Sequence, residues 1–189
     1  MKVEVYLEER ANEENLKTIY SPTILHIATH GFFDEGEEED RNKQERTKHF
    51  DNPLLHSGLL LTGAELTLNE KETGSKENGV LTAQEAMSLD LSGTELVVLS
   101  ACETGLGEIK NGEGVFGLQR ALQETGAKSV LMSLWKVDDA ATQEMMTLFY
   151  ENMLLKKQDK RTAFKNAQET IKANYKSPYY WGAFVMVGE

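Results

Sequence analysis

The sequence has 189 residues but one cysteine, Cys102, three prolines and no apolar run that approaches the length of a membrane span. A single cysteine excludes an intramolecular disulfide and is consistent with a reducing cytoplasm. A helix that crosses a bilayer needs about 20 consecutive apolar residues, and the amino terminus lacks the basic and then apolar pattern of a secretory signal. We therefore expect a cytoplasmic protein without a membrane partner.

Positive charge is also scarce. The 20 Lys and Arg residues against 31 Asp and Glu residues give a formal net charge of −11. Binding to duplex nucleic acid depends on a basic surface that neutralises phosphates, so we predict no nucleic-acid partner. Hydrophobic residues make up 40% of the chain, a proportion that is ordinary for one globular domain with a substantial core.

Short apolar runs alternate with helical patterns along the chain. Composition predicts strands at residues 3–7, 23–29, 57–62, 95–101, 129–137 and 181–187. Apolar spacing and capping residues predict helices at residues 13–19, 82–88, 115–125, 138–157 and 159–175. An acidic segment, 34–51, and a glycine-rich segment, 105–114, are predicted loops. This alternation indicates an α/β fold with a mostly parallel central sheet flanked by helices.

Two of the predicted strands lead to residues that carry chemistry. One is followed by His30 and Gly31, and the other by Cys102. In a parallel sheet both would emerge at the carboxyl edge, where α/β folds place their sites. A thiolate is a strong nucleophile that a neighbouring imidazole can activate, and the amides of Gly31 and Cys102 are candidate oxyanion donors. The alternative is a buried cysteine beside an ordinary histidine at the end of a strand.

Two further motifs argue against a metal or a cofactor. His26 and His30 have the spacing of a zinc-binding helix, but in a strand they would lie about 13 Å apart, too far to share one ion. We therefore expect a structural role for His26. Residues 112–117 match G-x-G-x-x-G, but a dinucleotide fingerprint must directly follow a strand, and here a loop intervenes. The sequence predicts no metal and no cofactor.

Asp138 and Asp139 lie where a buried strand gives way to a helix. Helix capping accounts for one aspartate. The other would remain at the same edge of the sheet as His30 and Cys102, where a carboxylate could bind the Arg or Lys side chain of a substrate. The pair is therefore a candidate substrate-binding site for a basic residue.

Taken together, these segments resemble the CHAT domain, a caspase-like module often found after tetratricopeptide repeats in bacterial proteins. The resemblance covers nearly the whole chain, and its motifs are LHIATHGF, SGL, VVLSACETG, GEGV with QRA, SLWKVD and PYYWGAF, at residues 25–32, 57–59, 97–105, 112–121, 133–138 and 178–184. It implies a three-layer caspase/separase-type fold. Residues 1–189 would form one such domain, without the amino-terminal part that is usual in the family.

The resemblance also implies a cysteine endopeptidase. His30 matches the family's base and Cys102 its nucleophile, with Gly31 and Cys102 as the implied oxyanion donors. Separases bind a substrate arginine through an aspartate at a similar place, which Asp138 or Asp139 matches approximately. We therefore expect cleavage of a protein substrate after a basic residue, with tetratricopeptide repeats or a regulatory protein as partner. The alternative is a non-catalytic regulatory or protein-interaction module.

Overall fold

The computed structural model of the protein describes residues 2–33, 52–68, 77–100, 108–110 and 114–189. The strands are β1 (Ile24–Ile27), β2 (His30–Phe33), β3 (Ser57–Leu60), β4 (Val80–Thr82), β5 (Leu96–Leu99), β6 (Glu108–Lys110), β7 (Gly114–Phe116), β8 (Ser129–Ser133) and β9 (Phe184–Gly188). The α-helices are α1 (Glu13–Thr18), α2 (Ala64–Leu68), α3 (Ala83–Ala86), α4 (Leu118–Glu124), α5 (Asp139–Tyr150), α6 (Lys160–Asn174) and α7 (Pro178–Trp181). A π-helical turn, Glu151–Leu155, continues α5.

A four-stranded sheet in the order β1-β5-β8-β9 lies at the centre of the fold. The first three strands are parallel, and β9 pairs antiparallel with β8. Every residue of β5 and β8 is buried, because helices cover both faces of the sheet, as parallel sheets require. The structure thus confirms the predicted α/β class with a mostly parallel sheet, consistent with a caspase-like fold.

The two faces of the sheet belong to two separate apolar clusters. Val97 and Leu99 of β5 pack on one face with Leu118 and Leu122 of α4. The alternate residues of β5 pack on the other face with α5 and α6, whose buried members include Met145, Phe149, Phe164 and Ile171. Because side chains of a strand alternate between faces, one apolar run supplies both clusters. Helix layers on both sides of the sheet follow from this pattern.

Two smaller antiparallel sheets accompany the central one. Strands β2, β3 and β4 form a three-stranded sheet in that order, and β6 pairs with β7. Gly58 in β3 lies so close to its neighbours that an added Cβ would be 2.3 Å from the carbonyl oxygen of Leu81 and 2.8 Å from the ring of Phe32. A glycine is therefore needed where β3 crosses between β2 and β4.

Several elements differ from the sequence prediction. Residues 2–7 form no strand, and Val3, Val5 and Leu7 are exposed, so their alternation does not mark a buried face. The strand predicted at residues 181–187 is preceded by α7, which Ser177 caps and in which Pro178 occupies the first turn. Strand β9 begins only at residue 184.

The helix limits follow from capping residues where the sequence predicted them. Asn12 accepts the N–H of Asn15 at 2.8 Å at the start of α1. Thr82 and Glu85 form the reciprocal capping box of α3. Gly126 follows α4 with a φ of +111°, the left-handed conformation typical of the residue after a helix. In the described parts of the chain, no helix has both the length and the apolar character needed to cross a membrane.

Candidate active site

The three parallel strands of the central sheet end level with one another. Ile27 of β1 pairs with Leu99 of β5, which in turn pairs with Met132 of β8. The ladder extends one step further, because the N–H of Ser100 donates to the carbonyl oxygen of Ile27 at 3.1 Å. The chain therefore leaves all three strands at one edge. This is the edge at which the sequence predicted the site.

His30 lies three residues after Ile27, as the first residue of β2. The predicted strand 23–29 ends early, at Ile27, and the chain turns into the second sheet, where His30 pairs with Leu60 and Gly31 with Leu59. The hydroxyl of Thr29 donates to the carbonyl oxygen of Leu60 and so ties this turn to β3. The His30 side chain is exposed and Gly31 is half-buried. The imidazole is thus accessible to a ligand at the carboxyl edge.

Cys102 lies outside the described residues, as do most of the glycine-rich segment 105–114 and the acidic segment 34–51. The structure follows the strand before the cysteine through Leu99 and Ser100. Cys102 is three residues after Leu99, and His30 is three residues after Ile27. Leu99 and Ile27 are register partners. The prediction that His30 and Cys102 emerge close together at this edge therefore stays a prediction.

Asp138 and Asp139 follow β8 at the same edge, and the structure separates their roles. The Asp138 Oδ1 accepts the N–H groups of Ala140 and Ala141 at 3.0 and 3.1 Å, so Asp138 is the N-cap of α5. Asp139 is the first residue of the helix. Both side chains are exposed. Asp138 is thus the capping aspartate, and its neighbour is the carboxylate that capping does not explain.

Comparison with known proteins identifies the family. The family model described as the CHAT domain matches residues 1–189. The chain belongs to the CHAT domain family. It is also similar to tetratricopeptide repeat protein 28, at 32% identity for the mouse protein and 31% for the human protein, over 111 residues in each case. These matches cover 58% of this chain and 4% of either relative, so the chain spans a small fraction of the length of these curated relatives.

Membership places this CHAT domain in the caspase-like, peptidase-related superfamily. The structure also shows what the aromatic motif at residues 178–184 contacts. The indole Nε1 of Trp135 donates to the carbonyl oxygen of Tyr179 at 3.0 Å. At Gly182 an added Cβ would lie 2.9 Å from the carbonyl oxygen of Pro178. The aromatic segment 178–184 is therefore a support for the chain between β8 and Asp138.

A second histidine of the CHAT domain has contacts that the sequence did not reveal. His26 of β1 brings its Nε2 within 2.9 Å of the Ser100 Oγ and its Nδ1 within 3.1 Å of the Tyr150 hydroxyl. Part of the residue still faces solvent, but both ring nitrogens face protein groups, and burial lowers the pKa of the imidazole. Tyr150 is distant in sequence, and its position on α5 carries no signal that could have predicted the contact.

One cluster of acidic side chains in the described residues has the convergence that a metal ion would need. Oxygen atoms of Glu13, Glu77 and Glu85 lie within 4.8 Å of one another. The ammonium group of Lys17 lies 2.6 Å from Glu13, 2.8 Å from Glu77 and 3.5 Å from Glu85. Because the ammonium group of Lys17 occupies the place that a metal ion would need among these carboxylates, we assign the cluster a role in stabilising the fold. It joins α1 to α3 and to the residues before β4.

Proposed function

We propose that this CHAT domain is a cysteine endopeptidase in which His30 is the general base and Cys102 the nucleophile. The observation that carries the proposal is the register of the parallel strands. Ile27 and Leu99 are paired, and each precedes its proposed catalytic residue by three positions. Neighbouring strands are about 4.8 Å apart. The segments that lead from Ile27 to His30 and from Leu99 to Cys102 therefore begin side by side.

The proposed reaction has two steps. In the first, the His30 imidazole takes the proton of the Cys102 thiol, and the sulfur attacks the carbonyl carbon of the scissile peptide bond. The C–N bond breaks, and the imidazolium gives its proton to the leaving amine. In the second, a water molecule that His30 deprotonates hydrolyses the thioester and releases the acid product and the thiol. Backbone N–H groups of Gly31 and Cys102 would stabilise the oxyanion of each tetrahedral intermediate.

Specificity for a basic residue before the cleaved bond is the second part of the proposal. Asp139 is exposed at the carboxyl edge, whereas one oxygen of Asp138 is committed to two helix amides. A carboxylate that accepts two N–H groups has less capacity to bind a guanidinium through both of its oxygens. We therefore favour Asp139 as the residue that binds the substrate's Arg or Lys. The net charge of −11 also attracts basic peptides.

Presentation of the substrate by a second module is the third part. The relatives found are named for tetratricopeptide repeats. We propose that such repeats, or a regulatory protein, bring the protein substrate to this edge.

The dyad is tested with a panel of fluorogenic peptides that differ in the residue before the cleaved bond. The wild-type chain should cleave peptides with Arg or Lys there. Cys102→Ala should abolish cleavage, and His30→Ala should lower kcat by about 10²- to 10⁴-fold because general base catalysis is lost. His49→Ala is the matched control, since it removes a histidine from the acidic segment. Activity that survives Cys102→Ala, or a preference for Asp or an apolar residue, would contradict the proposal.

Two isosteric variants test the specificity. Asp138→Asn and Asp139→Asn each remove one negative charge, and asparagine caps a helix about as well as aspartate. The preference for Arg over a neutral residue, as a ratio of kcat/KM values, should fall in Asp139→Asn and change less in Asp138→Asn. An equal effect of both variants would indicate that Asp138 and Asp139 together bind the basic residue of the substrate. If neither variant changes the ratio, the basic specificity lies elsewhere.

A further inference from the structure

Three side chains from three different elements meet beside the carboxyl edge, and the proposed reaction uses none of them. His26 belongs to β1, Ser100 follows β5, and Tyr150 is the last residue of α5. The imidazole lies between the two hydroxyl groups, at 2.9 Å from the serine and 3.1 Å from the tyrosine. The network therefore links the edge strand of the sheet to its neighbour and to the covering helix.

The tyrosine is the fixed end of this network. Its ring centroid lies 5.3 Å from that of Phe149 and 5.6 Å from that of His26. Phe149 is fully buried and packs edge-on against Phe164 of α6 at 6.3 Å. The π-helical turn begins directly after Tyr150. Tight packing on the helical side therefore holds the hydroxyl where the imidazole can reach it.

The distances fit two arrangements of the protons, because a phenol can donate to the Nδ1 of His26 or accept from it. Burial raises the pKa of Tyr150 above its ordinary value, so the phenol keeps the proton that it donates in the first arrangement. The acceptor within reach is the Nδ1 of His26. In that arrangement the neutral imidazole carries its proton on Nε2, which donates to the Ser100 Oγ at 2.9 Å. Burial also lowers the pKa of His26, which agrees with a neutral ring.

With the phenol as donor, His26 and Ser100 do not form a second catalytic pair. A serine is activated when a neighbouring imidazole accepts its proton. In this arrangement the nitrogen that faces Ser100 is already protonated, because the other nitrogen accepts from Tyr150. Ser100 therefore receives a hydrogen bond and is held in place without becoming a nucleophile. Its backbone N–H is bound as well, to the carbonyl oxygen of Ile27 at 3.1 Å.

We propose that Tyr150 donates to His26 and that His26, so oriented, is a positioning residue that donates to Ser100. It thereby fixes the carboxyl end of β5, from which the chain leads to Cys102. The kinetic consequence rests on the proposed function, because it concerns the rate at Cys102. The proton positions and the order at Ser100 do not rest on it. The two histidines of the H-x-x-x-H pattern thus have separate roles, one as an exposed base and the other as a fixed donor.

The proton positions are tested by two-dimensional ¹H–¹⁵N spectra of the histidine rings in Cys102→Ala protein, which needs no activity. At pH 7 the His26 ring should be neutral, with Nε2 protonated and Nδ1 bare. Tyr150→Phe should remove the preference for this tautomer and shift the titration of His26 upward. A ring protonated on Nδ1, or charged at pH 7, would overturn the proposal. Tyr20→Phe, at an exposed tyrosine, is the control.

Local order is tested by hydrogen exchange in the same background. His26→Ala should accelerate exchange of the Ser100 amide by about tenfold or more, since the end of β5 opens locally, while the amide of buried Val98 keeps its protection. His26→Gln retains an N–H donor and should restore part of the protection. Unchanged exchange at Ser100 would contradict a positioning role. If Val98 loses protection equally, the effect is global unfolding, and the positioning role is rejected.

The kinetic consequence is measured in the active chain. His26→Ala should lower kcat by roughly tenfold or more with little change in KM, because a small misplacement of a reacting group costs up to about 100-fold in rate. His26→Gln should recover part of this loss. Wild-type kcat in His26→Ala would refute the positioning role and leave the proposed function intact. An inactive wild type would refute the proposed function and leave the spectra and the exchange rates to decide the inference.

Discussion

Replacement of Lys17 by methionine should destabilise the protein by an amount that depends on pH. Glu13 has a fully buried side chain, and Lys17, which is 23% exposed, is its counter-ion at 2.6 Å. The other carboxylate oxygen of Glu13 accepts the N–H of Gly79 at 3.1 Å. Burial raises the pKa of Glu13, and the nearby ammonium group opposes that shift. Without Lys17 the carboxyl group is left buried and charged, or it must bind a proton.

Protonation of Glu13 sets an upper limit to the loss of stability. Removing one partner of a buried ion pair typically costs about 3–5 kcal/mol. A glutamate with an unfolded-state pKa of about 4.3 can instead be protonated at pH 7 for about 1.36 kcal/mol per pH unit, or roughly 3.7 kcal/mol. We therefore expect Lys17→Met to lower the free energy of unfolding by about 3–4 kcal/mol at pH 7. At pH 5 the same reasoning gives an expected loss of about 1 kcal/mol in the free energy of unfolding.

The sign of this pH dependence follows from the direction of the pKa shift. In the variant the folded state holds the Glu13 proton more tightly than the unfolded state, so its relative stability rises as pH falls toward the unfolded-state pKa. Urea unfolding followed by circular dichroism at pH 7 and pH 5 gives both values, provided that the slope m is unchanged.

The controls isolate the buried charge. Glu13→Gln combined with Lys17→Met should recover most of the loss, because the amide oxygen can still accept the N–H of Gly79. Lys165→Met, at an exposed lysine of α6, should change the free energy of unfolding by less than about 0.5 kcal/mol. A loss at pH 7 below about 1 kcal/mol, or a loss that is the same at pH 5, would refute the reasoning from a buried charge.

Three further predictions concern a close contact, a cap and a titration. Gly58→Ala should cost about 1–3 kcal/mol in free energy of unfolding, since the new methyl group meets the carbonyl oxygen of Leu81; an unchanged urea midpoint would contradict this. Thr82→Ala should cost about 1 kcal/mol by the same assay, whereas Thr82→Ser should cost little. His26 has a lowered pKa in the folded state, so its contribution is present above about pH 6.5 and is lost as pH falls. The wild type should therefore lose more stability than His26→Gln between pH 7.5 and pH 5, and parallel curves would contradict this.

Local chemistry explains which elements the sequence could predict. The capping residues Asn12, Thr82 and Asp159 start the helices that their spacing predicted, because capping depends on a few adjacent residues. The buried strands β5 and β8 were recognisable because both of their faces are apolar. By contrast, the predicted start of the helix at residues 115–125 is wrong, since Val115 belongs to β7 and α4 begins only at residue 118.

Tertiary contacts explain what the sequence could not predict. Nothing local shows that the chain leaves the central sheet after Ile27, so that His30 begins a strand of another sheet. The cap of α4 is equally non-local, because Gly117 has no side chain and the buried hydroxyl of Ser57 accepts the N–H of Leu118 at 3.1 Å instead. Contacts of this kind join residues about 60 positions apart, and periodicity carries no information about them.

The placement of His30 on the second sheet makes its distance from the end of β5 a property of how two sheets pack. Within one sheet, backbone hydrogen bonds would set that distance to the strand spacing. Here it depends on the apolar contacts of Leu59 and Leu81, which are buried in the same cluster as Leu99. Substitutions in β3 or β4 should therefore change the reactivity of the proposed pair, although they replace neither His30 nor Cys102. Protein engineering can use these positions, which are remote from the catalytic groups.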